Sequence, residues 1–189
     1  MPFIILIVVV VVLALWLVSL YNRMISLRNN RESSFADIDV QLKQRSDLIP
    51  QLVETVKGYS FHEKDTLEKI IQARNGLNTA NTISEKMQAD NQLTSAIQGL
   101  RVQVEAYPDL KANQNFLQLQ EELSDIENKL AAARRYFNAA TKEYNNSVEM
   151  FPANLIAASF GFSREKMYDL GVDQRAKLEE TPKIKFDQQ

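Results

Sequence analysis

His62 is the single histidine in the sequence, and Glu63 follows it, a dipeptide that opens the zinc-protease pattern HExxH. Thr66 stands where the second histidine would coordinate, and there is no cysteine. A zinc or copper site therefore has no ligand set. Ser60-Phe61-His62-Glu63 reads instead as a capping box, with the serine satisfying a free amide and Glu63 reaching back. The carboxylates Asp37 and Asp39 are two residues apart, so on a helix they point apart and are poorly placed to share a metal or a proton. Serines are numerous but lack a base to activate them. No phosphate loop, nucleophile elbow or dinucleotide fingerprint occurs. The pattern argues against an enzyme and calls for no cofactor.

Charges placed where apolar residues belong are the next candidates. Arg45 falls on an apolar stripe between Leu42 and Ile49, and Arg74 on another between Ile71 and Leu77. The plainer reading lays their stems along a core with the heads in water. The sharper one is a buried ionic cluster with Asp90 or Glu127 that sets register. Arg23, Arg28 and Arg31 form a basic collar. It serves either as a topology signal or as a site for anionic lipid, at about 1 kcal/mol per charge near a bilayer. A net charge of −2 gives no electrostatic case for nucleic acid.

The elements that position these residues begin with an apolar run. Residues 3–20, FIILIVVVVVLALWLVSL, contain one polar side chain, Ser19. At about 1.5 Å per residue the run covers roughly 27 Å, close to a bilayer core. Valine runs favour strands in water, but in lipid a helix satisfies its own backbone. Trp16 and Tyr21 sit near the boundary, where amphipathic rings prefer to lie. No basic residue precedes the run and no small-x-small site follows it, which favours a retained anchor over a signal peptide. The arginines after the run predict an outside N-terminus and a cytosolic body.

The body reads as all-α: an N-terminal transmembrane helix continuing into an antiparallel up-down-up-down bundle with long coiled-coil helices. Phe35, Ile38, Leu42, Ile49, Leu52 and Val56 make one helical stripe that passes Pro50 and stops at Gly58. A second helix carries Leu67, Ile70, Ile71 and Leu77 and fades over residues 76–81. A third opens on the capping box Thr82-Ile83-Ser84-Glu85 and stops at Tyr107-Pro108. The fourth, over residues 110–151, repeats Phe116, Leu119, Leu123, Ile126, Leu130, Ala133, Phe137, Ala140 and Tyr144 in steps of three and four, a heptad seam. Ser163 is expected to cap a short helix reaching Leu170.

The first and fourth helices are about 55 and 63 Å long at the helical rise, and the middle two are much shorter. A short hairpin beside the distal half of two long antiparallel helices leaves Phe137, Tyr144, Val148 and Phe151 as an uncovered apolar edge, expected to join copies of the chain. The same geometry returns residues 154–162, NLIAASFGF, to the membrane surface. There Leu155, Ile156, Phe160 and Phe162 either enter the lipid interface or cover the bundle end. The chain thus divides into an anchor (1–22), a helical bundle (23–151), and an apolar segment with a polar tail (152–189).

Several blocks resemble the LemA family. They are Tyr21-Asn22, DIDVQLKQRSDLIPQLVETVKGY over residues 37–59, His62-Glu63, Ala73-Arg74, YPDLKA over residues 107–112, and ENKLAAARRYFNAATKEYN over residues 127–145. Phe151-Pro152 and PKIKF over residues 182–186 also fit, so the likeness covers nearly the whole chain. Ser46, where the family often has His, and Phe137, where Tyr is common, are departures. The resemblance implies a bacterial inner-membrane protein with a short external N-terminus and a cytosolic helical bundle. It brings no catalytic residues. One class of relatives is associated with magnetosome membrane formation, which favours a homo-oligomeric scaffold that organises membrane. The other function weighed is an adaptor or sensor whose bundle docks a membrane protease or signalling partner.

Overall fold

The computed structural model describes residues 1–59 and 63–169, and every regular element among them is helical. These are α1 (Pro2–Lys57), α2 (Lys64–Thr79), α3 (Ile83–Val104), α4 (Pro108–Lys111), α5 (Gln114–Glu149) and α6 (Asn154–Ala157), followed by a 3-10 turn (Ala158–Phe160). Ser60, Phe61 and His62 of the first capping sequence and the tail beyond Asp169 lie outside the described residues.

The helix ends follow from local chemistry. α1 runs through Pro50, which has no N–H to offer the carbonyl four residues back. That carbonyl belongs to Ser46, and Arg74 Nε donates to it at 3.0 Å. Glu63 is the N-cap of α2 rather than a residue of its first turn, and its side chain makes no cap bond. α2 also continues past Gly76 to Thr79. The capping box of α3 forms: Glu85 N donates to Thr82 Oγ1 at 3.2 Å, and Thr82 N donates to Glu85 Oε2 at 3.1 Å. The long fourth helix expected over residues 110–151 is broken near its start. α4 is a single turn, and Asn113 Oδ1 accepts from Phe116 N at 3.0 Å to start α5.

The chain forms two compact units, to both of which α1 and α5 contribute. Among the described residues, one contains 1–44 and 124–168 and the other 45–123 with 169. In the first, Phe35 packs edge-on to Phe137 with centroids 5.4 Å apart, and Met24 clusters with Tyr144 and Val148. Rising numbers on α1 meet falling numbers on α5, so the two are antiparallel. Ala153, Ala157 and Phe162 complete that cluster. None of the apolar window of α1 is buried. In the second unit α2 and α3 pack together, burying Leu67, Ile70, Ala73 and Leu77 with Leu93, Ile97, Leu100 and Val104.

Candidate functional site: the junction of the apolar helix and the returning chain

The first unit brings the end of the apolar run to the end of α5. Tyr21 meets Phe160 and Phe162 edge-on, at centroid distances of 5.2 and 5.6 Å. Leu17, Val18, Tyr21 and Phe160 line an open apolar cavity of about 290 Å³. Phe160 is 56% exposed and Phe151 79%, with Leu155 and Met150 also exposed. Ala157 and Phe162 face inward on Met24 and Tyr144, and Ile156 packs against the same cluster half-buried. The segment 154–162 therefore has a covering face and an exposed apolar face. Trp16 is exposed on the apolar run.

Three of the four residues expected to form an uncovered seam are buried within the chain. Phe137, Tyr144 and Val148 lie beneath α1 and the returning segment, and only Phe151 is exposed. The expectation failed because the heptad pattern specifies an apolar partner without saying which piece of chain supplies it. Residues 162–169 also form no helix after Ser163. Their backbone groups bond to α5 side chains instead. Asn145 Nδ2 donates to Glu165 O at 2.9 Å, while Glu165 N donates to Asn145 Oδ1 at 2.9 Å. Asn138 Nδ2 donates to Tyr168 O at 3.1 Å, and Tyr168 N donates to Asn138 Oδ1 at 2.7 Å. A segment pinned by its N–H and C=O groups this way leaves them unavailable to a helical ladder.

The basic collar divides. Arg23 is exposed, and Arg28 lies 5.9 Å from the Phe162 ring and 3.7 Å from Glu32. Arg31 is not on the surface. Its side chain is 6% exposed; Nε donates to Thr141 Oγ1 at 3.2 Å and Nη2 meets Glu165 Oε2 at 3.1 Å. Its guanidinium also lies 5.0 Å from the Phe137 ring. Arg31 is thus an internal clamp, removed from any lipid-facing collar. Beneath the segment, burial pushes the Tyr144 phenol above its usual pKa, and the Glu165 carboxylate adds to the shift. Arg28, Arg31 and a backbone hydrogen bond with Ser163 act the other way.

In the second unit Arg45 and Asp90 meet, Nη1 to Oδ1 at 2.9 Å, with side chains 1% and 0% exposed. Nη1 also donates to Thr94 Oγ1 at 2.8 Å. Arg74 is half-buried on the Ser46 carbonyl, and Ser46 Oγ donates to Asn78 Oδ1 at 2.9 Å. Glu127 lies half-buried on α5. Sequence reasoning missed Asn138, Thr141, Asn145 and Tyr168. The one signal available was two asparagines seven residues apart along the heptad stripe.

A model of the LemA family matches residues 34–186. Protein LemA of Metamycoplasma hominis is 26% identical over 159 residues, 84% of this chain and 70% of that one. Magnetosome protein MamQ of Magnetospirillum gryphiswaldense is 21% identical over 174 residues, 78% of this chain. Magnetosome protein MamQ 2 of Paramagnetospirillum magneticum is 20% identical over a stretch of the same length. The chain spans 64% of the length of each MamQ protein.

Proposed function

The chain belongs to the LemA family, and we propose that it is a non-enzymatic scaffold of the bacterial inner membrane. It is anchored by the first half of α1, with the N-terminus outside and the body in the cytosol, and it assembles with copies of itself to organise or shape the bilayer. The observation that carries this reading is the seat of Phe160 against Leu17, Val18 and Tyr21. Those residues are the last turns of the apolar run, so a helix crossing the bilayer places Phe160 at its surface. Leu155 and Phe151 then face lipid. Each large apolar side chain taken out of water contributes up to about 1.5–3 kcal/mol. A second point of attachment beside the helix fixes how the body stands on the membrane. That is what a scaffold needs to transmit curvature or spacing. The relatives named as magnetosome proteins are in keeping with it.

Imaging the purified full chain in lipid vesicles tests the proposal. A scaffold self-assembles in pure lipid and changes vesicle shape, and Leu155→Glu with Phe160→Glu abolishes the change while the chain stays inserted. Vesicles that remain smooth at high protein density, with a small oligomer that retains one crosslinked partner in cells, would establish the adaptor reading in its place.

A further inference from the structure

Residues 162–168 are held to α5 chiefly through their main chain. Asn138 and Asn145 each bracket one residue of the segment, Tyr168 and Glu165, with a donor and an acceptor. The spacings match. Seven residues of helix advance about 10.5 Å, and three residues of extended chain advance about 10 Å. Between the brackets Arg31 Nη2 donates to Lys166 O at 3.4 Å and meets the Glu165 carboxylate at 3.1 Å. At the two ends, Phe162 enters the Met24–Tyr144 cluster and the Tyr168 ring lies 4.8 Å from the Arg134 guanidinium. Arg164 also pairs with Glu149 on α5 at 3.1 Å, through side chains that are largely in water. A surface that grips backbone by side-chain amides, and reads side chains at a few places, is a groove for an extended peptide. The pattern it reads here is Phe-x-Arg-Glu-x-x-Tyr.

We propose that this groove is an exchangeable site, and that its other occupant is the 162–168 segment of a second copy of the chain. Every copy of the chain carries the one sequence already shown to fit. Exchange remakes in trans each bracket, the Arg31 contacts and both aromatic anchors, so the net cost is small once copies are concentrated. Anchoring in one bilayer supplies that concentration and a shared orientation. Gly161, at φ 76°, sits where the segment leaves the 3-10 turn, in the left-handed region that only glycine adopts easily. A change of direction there redirects the segment without disturbing α5. Release would uncover Tyr144, and a neighbour's segment would cover it again. The inference rests on the self-associating reading above and names how the copies join.

Two variants of the full chain in nanodiscs with distinguishable tags provide the test. A groove variant, Asn138→Ala with Asn145→Ala, keeps its segment. A segment variant, Glu165→Pro with Tyr168→Pro, keeps its groove but loses both bracketed N–H groups. Neither can exchange with its own kind, whereas a mixture contains one intact groove and one intact segment. Exchange predicts mixed dimers by native mass spectrometry, well above those in either variant alone. A mixture that behaves as the sum of its parts overturns it. Circular dichroism checks that both variants keep their helices. If either does not, a labelled peptide of residues 161–169 is titrated onto wild-type chain opened by Glu165→Pro alone. Saturable binding, weakened about tenfold by adding Asn145→Ala, supports the groove; no binding overturns it. If vesicles stay smooth while mixed dimers form, the scaffold reading fails and exchange stands. If wild-type and both variants oligomerise alike, self-association stands and exchange fails.

Discussion

α1 carries two buried arginines, Arg31 and Arg45, and their surroundings differ. Arg45 meets Asp90, a carboxylate with no exposed surface, on another helix of its own unit. Arg31 meets Thr141 on α5, but also the Lys166 carbonyl and a Glu165 carboxylate that is 41% exposed. The same residue type on the same helix thus performs two tasks. Arg45 joins helices through a pair shut away from water, where breaking one partner leaves a charge stranded. Arg31 holds down an irregular segment through contacts that water partly screens. A buried arginine reports permanence only when its partner is buried too.

The largest test of this contrast is Asp90→Ala. Removing the carboxylate leaves the Arg45 charge in the core, and the expected loss is about 3–5 kcal/mol, read from the denaturation midpoint of the full chain in detergent. Arg45→Leu with Asp90→Leu should recover most of it, because the double change removes both charges. A loss below about 1 kcal/mol for Asp90→Ala would place this pair in the class of weak surface contacts.

Asn145→Ala comes next. It deletes both halves of one bracket and leaves the Glu165 backbone groups without that partner, for a loss of about 1–3 kcal/mol. Hydrogen exchange separates this from a general weakening. Amides of residues 163–168 should exchange faster while those of Leu93 and Ile97 on α3 do not change. Equal acceleration in α3 would end the distinction between a locked pair and a releasable segment.

What the sequence discloses follows the same division. The stripe from Phe35 to Val56 and the heptads of α5 are readable because burial repeats with the helical period, and the capping box of α3 because its residues are adjacent. Arg45 stands out as a charge on an apolar stripe, but its partner lies 45 residues away, and only folding selects Asp90. Arg74 was open to inference. Pro50 withholds a proton from the Ser46 carbonyl, so some other donor has to serve it. Residues 162–168 have no period because their order comes from side chains elsewhere. Read alone they look like a short helix or a tail, and the seam beneath them looks bare.

The smallest effect probes the exposed side of the Arg31 clamp. Glu165→Gln removes a partly screened charge pair, so its cost should stay within about 1 kcal/mol and shrink as salt rises. Its sharper readout is Tyr144. Burial is the main cause holding this phenol above its ordinary pKa, with Glu165 second. A raised folded-state pKa contributes stability that is complete below the unfolded value and is lost as pH climbs through the folded one. Glu165→Gln removes a negative charge opposing the phenolate and leaves Arg31 to favour it. Both changes lower the Tyr144 pKa, so tyrosinate absorbance should rise at lower pH than in the wild type, with Tyr144→Phe as the blank that assigns the signal. An unchanged alkaline titration would mean that Glu165 spends its time away from Arg31 and Tyr144, and the segment would then be held by its asparagine brackets, its aromatic anchors and the contacts of Lys166 O and Arg164.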